Sequence, residues 1–135
     1  MKNSIRFFSL IILMIAITGC SSKQKNMEPK QAVYKNVSMA EGLKIAKQNP
    51  DAVIVDVRRD DEYKAGHIPG AVLLTMETIT AETAAKVLPD KNQLLLIYCR
   101  SGRRSKIAAN TLLDLGYTNI IEFGGILDYK GNLEY

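Results

Sequence analysis

The chain has 135 residues, which is room for one domain of about 100 residues behind a short leader and too little for a second domain of ordinary size. Apolar residues make up 47% and charged residues 24%, a balance that is typical of globular proteins and excludes a disordered chain. The charge of +4 comes from 18 basic and 14 acidic residues, and setting aside Lys2 and Arg6 leaves 16 basic residues, so nucleic acid is not expected as a partner.

The first twenty residues have the pattern of a secretory leader. Lys2 and Arg6 form a short positive region, and an almost uninterrupted apolar run follows from 7 to 17. A spanning helix needs about 20 apolar residues, so this run is too short for an ordinary transmembrane anchor. The run ends in Ile17-Thr18-Gly19-Cys20, which resembles the bacterial lipobox, where small residues precede a cysteine that becomes acylated.

This resemblance implies a lipoprotein signal peptide at 1–19 and a lipidated N-terminus with a flexible tether at 20–32, ahead of a domain at 33–135. The tether has no apolar periodicity, as in flexible linkers. Acyl chains contribute about 0.8 kcal/mol per buried CH₂, and several chains together anchor a protein stably. We expect an exported protein that is lipid-anchored to the bacterial cell envelope, on its periplasmic or outer face. The alternative is a plain secretory signal in which Cys20 is incidental.

The domain is expected to open with a helix and a buried strand. Ser38 and Glu41 have the spacing of a capping box, in which the serine accepts the glutamate amide and the glutamate reaches back to the serine amide. The helix should run to about Gln48, where Asn49-Pro50 ends it. Residues 52–57 then form a nearly continuous apolar run, which predicts a strand that is buried on both faces of a parallel sheet.

The middle of the chain repeats this alternation. Residues 60–65 can form a short helix, and 71–74 form a candidate strand. Thr80 can cap a helix that ends before Pro89. Residues 94–98 repeat the pattern of a buried strand.

The last third supplies one more helix and one more strand. Apolar and small residues recur at helical spacing at Ile107, Ala108, Thr111, Leu112 and Leu115. Gly116 is a natural stop for this helix, and residues 119–123 supply the last strand. The alternation predicts an α/β fold: a doubly wound, three-layer α/β/α domain with a central, mainly parallel sheet.

The loop after the most apolar strand carries the candidate chemistry. Cys99 follows that strand directly, and ligands of doubly wound folds bind outside the carboxyl ends of the strands. Three arginines lie within the next five residues, and amides at a strand-to-helix loop can converge on an anion. Such a setting lowers the pKa of a thiol and makes it reactive. Because Cys20 is expected to be acylated, no disulfide between the two cysteines is expected. The alternative for Cys99 is an inert, buried thiol.

Three segments of the chain resemble the rhodanese family. They are Asp56-Val57-Arg58 with Glu62-Tyr63 and the stretch GHIPGA at 66–71, then YCRSGRRS at 98–105, and then Gly124-Gly125-Ile126. The resemblance covers almost the whole domain and implies a rhodanese-like fold and a thiosulfate sulfurtransferase type of enzyme. The Cys99 thiolate would take a sulfane sulfur from an anionic donor such as thiosulfate. The persulfide would then pass this sulfur to a thiol or to cyanide.

The resemblance also assigns roles around the nucleophile Cys99. The main-chain amides that would hold the anionic donor belong to Arg100, Ser101, Gly102, Arg103 and Arg104. After Cys99, Arg104 is the residue whose side chain is most expected to act in the site. Arg100 and Arg103 either tune the electrostatic field at the site and its preference for one sulfur donor over another, or they are solvated surface charges.

Four further residues resemble the polar set that holds the loops around the site in this family. They are Asp56, Arg58, Glu62 and His67. His67 is interpreted as a hydrogen-bonded scaffold residue rather than as a general base. With one histidine in the chain, a zinc site has too few ligands, and neither a metal nor a cofactor is expected.

Two other functions stay open as alternatives. Cysteine phosphatases and arsenate reductases also bind oxyanions in a cysteine and arginine loop, but they generally place five residues between the two, whereas four separate Cys99 from Arg104. A non-catalytic envelope module or a sulfur carrier would keep the fold without turnover.

The chain departs from the family pattern at Tyr129, where many members carry tryptophan, and this departure concerns local packing. No second mobile cysteine is present, so a partner thiol would have to resolve a persulfide.

Overall fold

The computed structural model describes residues 33–135, and the statements below concern this range. Its strands and helices are β1 (Lys35–Asn36), α1 (Met39–Gln48), β2 (Val53–Asp56), α2 (Asp60–Lys64), β3 (Val72–Leu73), α3 (Ala81–Val87), β4 (Leu95–Cys99), α4 (Arg103–Asp114) and β5 (Ile120–Gly125). Short 3₁₀ turns occur at Met76–Thr78 and Ile126–Asp128. The predicted signal peptide, the tether and Cys20 lie outside the described residues. No helix of the described range has both the length and the apolar character that a bilayer crossing requires.

The strands form one parallel sheet in the order β1-β5-β4-β2-β3. The central strand β4 pairs with β2 through Val55 and Ile97, and with β5 through Leu96 and Ile121. The predicted α/β fold with a mainly parallel sheet is therefore confirmed, and every ladder between the named strands is parallel. β1 was not predicted, because two exposed residues at a sheet edge carry no periodic signal.

The side chains of β4 alternate between two apolar layers, as successive side chains of a strand must. Leu95 and Ile97 pack on one face with residues of α3 and α4 and with the residue that follows α3: Ala84, Leu88, Ala108, Ala109 and Leu112. Leu96 and Tyr98 pack on the other face with residues that include Met39, Leu43 and Ala46 of α1. Helices thus cover both faces of the sheet, which explains why its inner strands are apolar throughout.

The predicted helix caps are present with one correction. The Thr80 hydroxyl accepts the Thr83 amide at 3.1 Å, and the Thr83 hydroxyl accepts the Thr80 amide at 2.8 Å. The Ser38 hydroxyl accepts the Glu41 amide at 3.2 Å. The second half of the predicted capping box is wrong, because the Glu41 carboxylate is exposed and does not accept the Ser38 amide.

We expect Gly42→Ala to destabilise the domain. Gly42 is buried where α1 lies against β5, and a methyl group at this position would overlap Cβ and Cδ2 of Phe123. Overpacking costs about 1–3 kcal/mol, against about 1 kcal/mol gained from the helix preference for alanine, so the free energy of unfolding should fall by up to about 2 kcal/mol. Urea denaturation measures this change. Lys44→Ala, at an exposed position of the same helix, should change stability by less than about 0.5 kcal/mol; a more stable Gly42→Ala would contradict the close contact.

Candidate active site

The candidate nucleophile lies at the carboxyl end of the central strand. Cys99 is the last residue of β4, one residue further along the strand than the sequence pattern predicted, and only 1% of its surface is exposed. The chain turns directly after it, and α4 begins at Arg103. Gly102 makes this turn with φ at 98°, a left-handed conformation that glycine adopts without strain. The turn directs loop amides back toward the sulfur atom.

Hydrogen-bond donors of the loop surround the Cys99 sulfur. The Gly102 amide donates to Sγ at 3.0 Å. Ser105 and Ser101 also act on this thiol through its pKa. Burial alone raises the pKa of the Cys99 thiol, but the hydrogen bonds from Ser105, Gly102 and Ser101 outweigh it, so the pKa lies below its ordinary value. The pKa of Cys99 is therefore shifted in the direction that the loop composition predicted. The groups that lower it most are amides and a hydroxyl rather than guanidinium groups.

The loop rests on the Gly-Gly pair at the end of β5. A methyl group at Gly125 would overlap the carbonyl group of Arg100 and the Cα of Ser101. The Leu127 amide donates to the same Arg100 carbonyl at 3.3 Å. This close main-chain approach explains why a glycine stands at position 125, and it fixes the height of the loop above the sheet.

Arg104 is held by Glu62 in a bidentate ion pair. Its Nη1 and Nη2 donate to the two carboxylate oxygens at 2.7 and 2.8 Å. The hydrogen bond from Arg104 outweighs burial and lowers the pKa of Glu62 to about 2. The same hydrogen bond raises the pKa of Arg104, and the negative charge on Cys99 contributes to this rise. The Arg104 guanidinium is therefore a fixed positive charge close to the sulfur.

Asp56 and Arg58 form a buried network on the other side of the loop. Arg58 donates to Asp56 through Nε and Nη2, the latter at 2.6 Å, and to the Gly66 carbonyl at 2.8 Å. The Tyr98 hydroxyl donates to Asp56 at 2.7 Å and accepts the Ile68 amide at 3.1 Å. The network ties β2 to β4 and to the turn after α2. Support of the site by Asp56 and Arg58 stays a prediction.

His67 is packed into the same turn. Its ring stacks on Tyr63 with the centroids 3.7 Å apart, and its Nδ1 lies 2.9 Å from the Tyr63 carbonyl. Its Nε2 lies 3.6 Å from a carboxylate oxygen of Glu134. These contacts involve no residue of the loop 99–105, and a scaffold role for His67 stays a prediction. Within residues 33–135, no three His, Cys, Asp or Glu side chains group together in a way that could hold a metal ion.

Three other residues of the loop are exposed to solvent. Arg100, Ser101 and Arg103 are exposed. Ser101, Arg103 and Arg104 line a cavity of about 280 Å³, which also includes Glu62. Arg100 lines a separate cavity of about 380 Å³ on the Arg58 side of the loop. Their positions are consistent with contact to a soluble anion, while their roles in binding stay predictions.

Two residues at the site received no role from the sequence. Ser105 ends the loop and is buried, and hydrogen bonding by this residue lowers the pKa of the Cys99 thiol. Glu122 on β5 is also buried, and its Oε1 accepts the Ser105 hydroxyl at 2.5 Å. The sequence did carry a signal for Glu122: it is an acidic residue inside the apolar strand IIEF at 120–123, and a charged residue is rarely buried without a partner.

Comparison with known protein families agrees with this geometry. The model of the family described as the rhodanese-like domain matches residues 38–132. The chain belongs to the rhodanese-like domain family. The match includes the whole loop 99–105, all strands from β2 to β5 and the Gly-Gly pair, so the resemblance seen in the sequence is confirmed.

The relatives of this rhodanese-like chain include proteins of different size. The chain is 35% identical over 74 residues to the thiosulfate sulfurtransferase PspE of Escherichia coli, covering 55% of this chain and 70% of that protein. It is 34% identical over 105 residues to the tRNA uridine(34) hydroxylase of Bdellovibrio bacteriovorus, covering 75% of this chain and 30% of that protein. A solved structure described as a rhodanese with anions from E. coli has a TM-score of 0.56 and 31% identity, covering 62% of this chain and 96% of that chain.

We expect the ion pair between Glu62 and Arg104 to give the domain a pH-dependent stability. Because the folded-state pKa of Glu62 is about 2 and its usual value is 4.5, the stabilisation is complete above about pH 4.5 and is lost as the pH falls through about 2. Glu62→Gln should therefore lower the free energy of unfolding by about 2 kcal/mol at pH 7 and by less at pH 3. Urea denaturation at both pH values measures this difference.

Glu82→Gln is the matched control, because Glu82 is exposed and pairs only with the neighbouring Lys86. This surface substitution should change stability little at either pH. Equal losses for Glu62→Gln at pH 7 and pH 3 would mean that the carboxylate charge does not provide the stabilisation.

Proposed function

We propose that this protein is a sulfurtransferase that moves a sulfane sulfur from a donor such as thiosulfate, through a persulfide on Cys99, to a thiol or cyanide acceptor. The observation that carries the proposal is the Gly102 amide 3.0 Å from the Cys99 sulfur, within a loop that lowers the pKa of this thiol. A thiolate is the nucleophilic form of cysteine, and lowering its pKa increases the ionised fraction near neutral pH.

The reaction has two displacements on sulfur. The Cys99 thiolate attacks the outer sulfur of thiosulfate, the S–S bond of the donor breaks, and its electron pair leaves with sulfite. The persulfide on Cys99 keeps the negative charge on its terminal sulfur. An acceptor thiolate or cyanide then attacks this terminal sulfur, and the breaking S–S bond returns its electron pair to Cys99. Loop amides that already face the sulfur would stabilise the negative charge in both steps.

The charge around the loop supports an anionic donor. The exposed Arg100 and Arg103 flank the loop on two sides, and the Arg104 guanidinium is fixed close to the sulfur. E. coli PspE, a relative, is named as a thiosulfate sulfurtransferase. The related E. coli structure is described as a rhodanese with anions, which favours an anionic donor for this chain.

Cys99→Ser should abolish sulfur uptake by the full chain. Incubation of the parent protein with thiosulfate should add the mass of one sulfur atom, and cyanide should remove it with release of thiocyanate. In Cys99→Ser both the mass increase and thiocyanate formation should fall to the uncatalysed background, because serine lacks the nucleophile. Intact-protein mass spectrometry and a colorimetric thiocyanate assay measure the two steps.

Cys20→Ser is the matched control, since it removes the other cysteine of the chain and should keep both steps. Sulfur uptake without release to cyanide or to small thiols would favour a sulfur carrier over an enzyme. Hydrolysis of an aryl phosphate by the parent protein, with no sulfur uptake, would favour a phosphatase and contradict the proposal.

We also propose that Cys20 carries the lipid that attaches this sulfurtransferase to the cell envelope, with residues 1–19 removed. Support comes from the short apolar run and from the lipobox-like Ile17-Thr18-Gly19-Cys20. Sulfur transfer would then take place outside the cytoplasm, with small anionic donors and thiols as its partners.

Cys20→Ser is expected to move the protein out of the membrane fraction. In a bacterial host the full chain should incorporate labelled palmitate and sediment with membranes, because several acyl chains anchor a protein stably. The variant should incorporate no label and should fractionate with soluble proteins. Cys99→Ser, which leaves the lipobox intact, should behave as the parent; label in Cys20→Ser would show that the acyl group is elsewhere.

A further inference from the structure

A cavity beside the nucleophile loop is lined mainly by apolar residues. Its volume is about 380 Å³, within the usual range for sites that bind small molecules. It reaches the loop at Arg100, the residue directly after Cys99. Most of the remaining wall is apolar: Ala65, Ile126, Leu127, Tyr129 and Leu133. A small ligand with an apolar part therefore fits beside the loop.

Main-chain contacts join the wall of this cavity to the nucleophile. Cys99 pairs with Gly125 across β4 and β5. Ile126 and Leu127 follow Gly125 directly, and the Leu127 amide donates to the Arg100 carbonyl at 3.3 Å. The terminal sulfur of a persulfide extends about 2 Å beyond the cysteine sulfur. The cavity is thus adjacent to the place where sulfur is transferred.

The cavity presents one charge that no side chain neutralises. Its charged residues are Arg58, Glu62 and Arg100. Arg58 is paired with Asp56 at 2.6 Å, and Glu62 is paired with Arg104 at 2.7 Å. Arg100 is exposed, and no ion pair in the described part of the chain includes it. A ligand with one negative group would complement this charge.

One wall of the cavity is held by the segment 131–135. Glu134 and His67 exchange two main-chain hydrogen bonds of 2.9 Å. The Glu134 carboxylate also accepts the Gly70 amide at 2.9 Å. Leu133 directly precedes Glu134 and lines the cavity. The wall is therefore ordered by contacts that lie outside the nucleophile loop.

Two leucines of the wall are exposed to solvent. Leu127 has 57% and Leu133 has 36% of its surface exposed. A single exposed leucine is ordinary, whereas two on one concave surface are typical of a binding site. The other cavity at the loop differs, since it contains Arg59, Arg103 and Arg104 and suits a compact oxyanion. The two cavities therefore fit two substrates of different chemistry.

We propose that the cavity beside Arg100 binds the sulfur acceptor, and that this acceptor is a small thiol with an apolar chain that ends in a carboxylate. The chain lies along Leu127 and Leu133, and the carboxylate meets the Arg100 guanidinium. This acceptor site deepens the proposed function and rests on it in taking the Cys99 persulfide as the source of sulfur.

The transfer to this acceptor is a displacement on sulfur. The acceptor thiol gives its proton to water, and its thiolate attacks the terminal sulfur of the persulfide. A new S–S bond forms on the acceptor, the S–S bond to Cys99 breaks, and its electron pair returns to the Cys99 thiolate. The acceptor leaves as a persulfide.

Sulfur release from the loaded full chain tests the class of acceptor. The protein is loaded with thiosulfate, freed of the donor and mixed with 6-mercaptohexanoate, 6-mercaptohexanol or mercaptoacetate. Loss of the added sulfur is followed by intact-protein mass spectrometry. The half-saturating concentration of 6-mercaptohexanoate should be about tenfold below that of mercaptoacetate, because its longer chain contacts the apolar wall. It should be about threefold below that of 6-mercaptohexanol, which carries no charge for Arg100.

Substitutions in the cavity should affect these thiols selectively. Leu127→Ser should raise the half-saturating concentration of 6-mercaptohexanoate about fivefold and that of mercaptoacetate much less. Arg100→Gln should raise the value for 6-mercaptohexanoate about threefold and leave 6-mercaptohexanol unchanged. Ile107→Ser is the matched control, because Ile107 is 44% exposed and does not line the cavity. Equal values for the three thiols, or values that Leu127→Ser leaves unchanged, would overturn the proposal.

A peptide acceptor distinguishes a small thiol from a protein. An apolar peptide with one cysteine and a blocked carboxyl end is tested in the same way. A half-saturating concentration below that of 6-mercaptohexanoate would mean that the cavity accepts a protein segment, and it would contradict the assignment to a small carboxylate.

Heptanoate tests the site without sulfur transfer, since a methyl group replaces the thiol and no persulfide is needed. In NMR spectra of the full chain, saturable shifts are expected at the amides of Leu127, Gly131 and Leu133. Arg100→Gln should weaken this binding about threefold. Shifts that are absent or confined to other regions would overturn the acceptor site, even where Cys99 takes up sulfur. Saturable shifts at the cavity without sulfur uptake would support the site and contradict the proposed function alone.

Discussion

Main-chain amides directed at a buried sulfur atom are the interaction on which this site depends. Burial of Cys99 favours the neutral thiol, and the hydrogen bonds from Gly102, Ser101 and Ser105 favour the thiolate. The hydrogen bonds outweigh burial because the donors are held in place before any charge forms, so no reorganisation is needed at the moment of ionisation. Without these hydrogen bonds, burial would decide the pKa and the neutral thiol would be favoured.

The position of the loop is therefore as important as its composition. The Gly125 backbone sets the height of the loop, since any side chain there would collide with Arg100. The ion pair of Arg104 with Glu62 joins the first turn of α4 to α2. The network around Asp56 joins β2 to β4 just before Cys99. Contacts between residues that are far apart in sequence thus converge on a single short loop.

Much of the fold follows from local sequence patterns, and much of the site does not. Short stretches of the chain determine the buried strands, the Thr80 cap and the turn after Cys99. The periodicity and the residue spacing of these stretches therefore predict them. The partner of Arg104 lies 42 residues away, and no local pattern selects Glu62 from the other acidic residues. Glu122 was overlooked because its partners lie on three different elements: Asn36 on β1, Ser105 on α4 and Gly124 on its own strand.

Two glutamates close to the nucleophile illustrate how the environment decides what a carboxyl group does. Glu62 is bound by a guanidinium group, which lowers its pKa to about 2 and keeps it ionised at any pH at which the protein is expected to work. Its charge is therefore constant and serves to hold Arg104. Glu122 is bound by neutral donors alone: the Ser105 hydroxyl, the Gly124 amide and the side-chain amide of Asn36. Glu122 therefore joins α4 to β5 and β1 through hydrogen bonds, whereas Glu62 joins α2 to α4 through a charge pair.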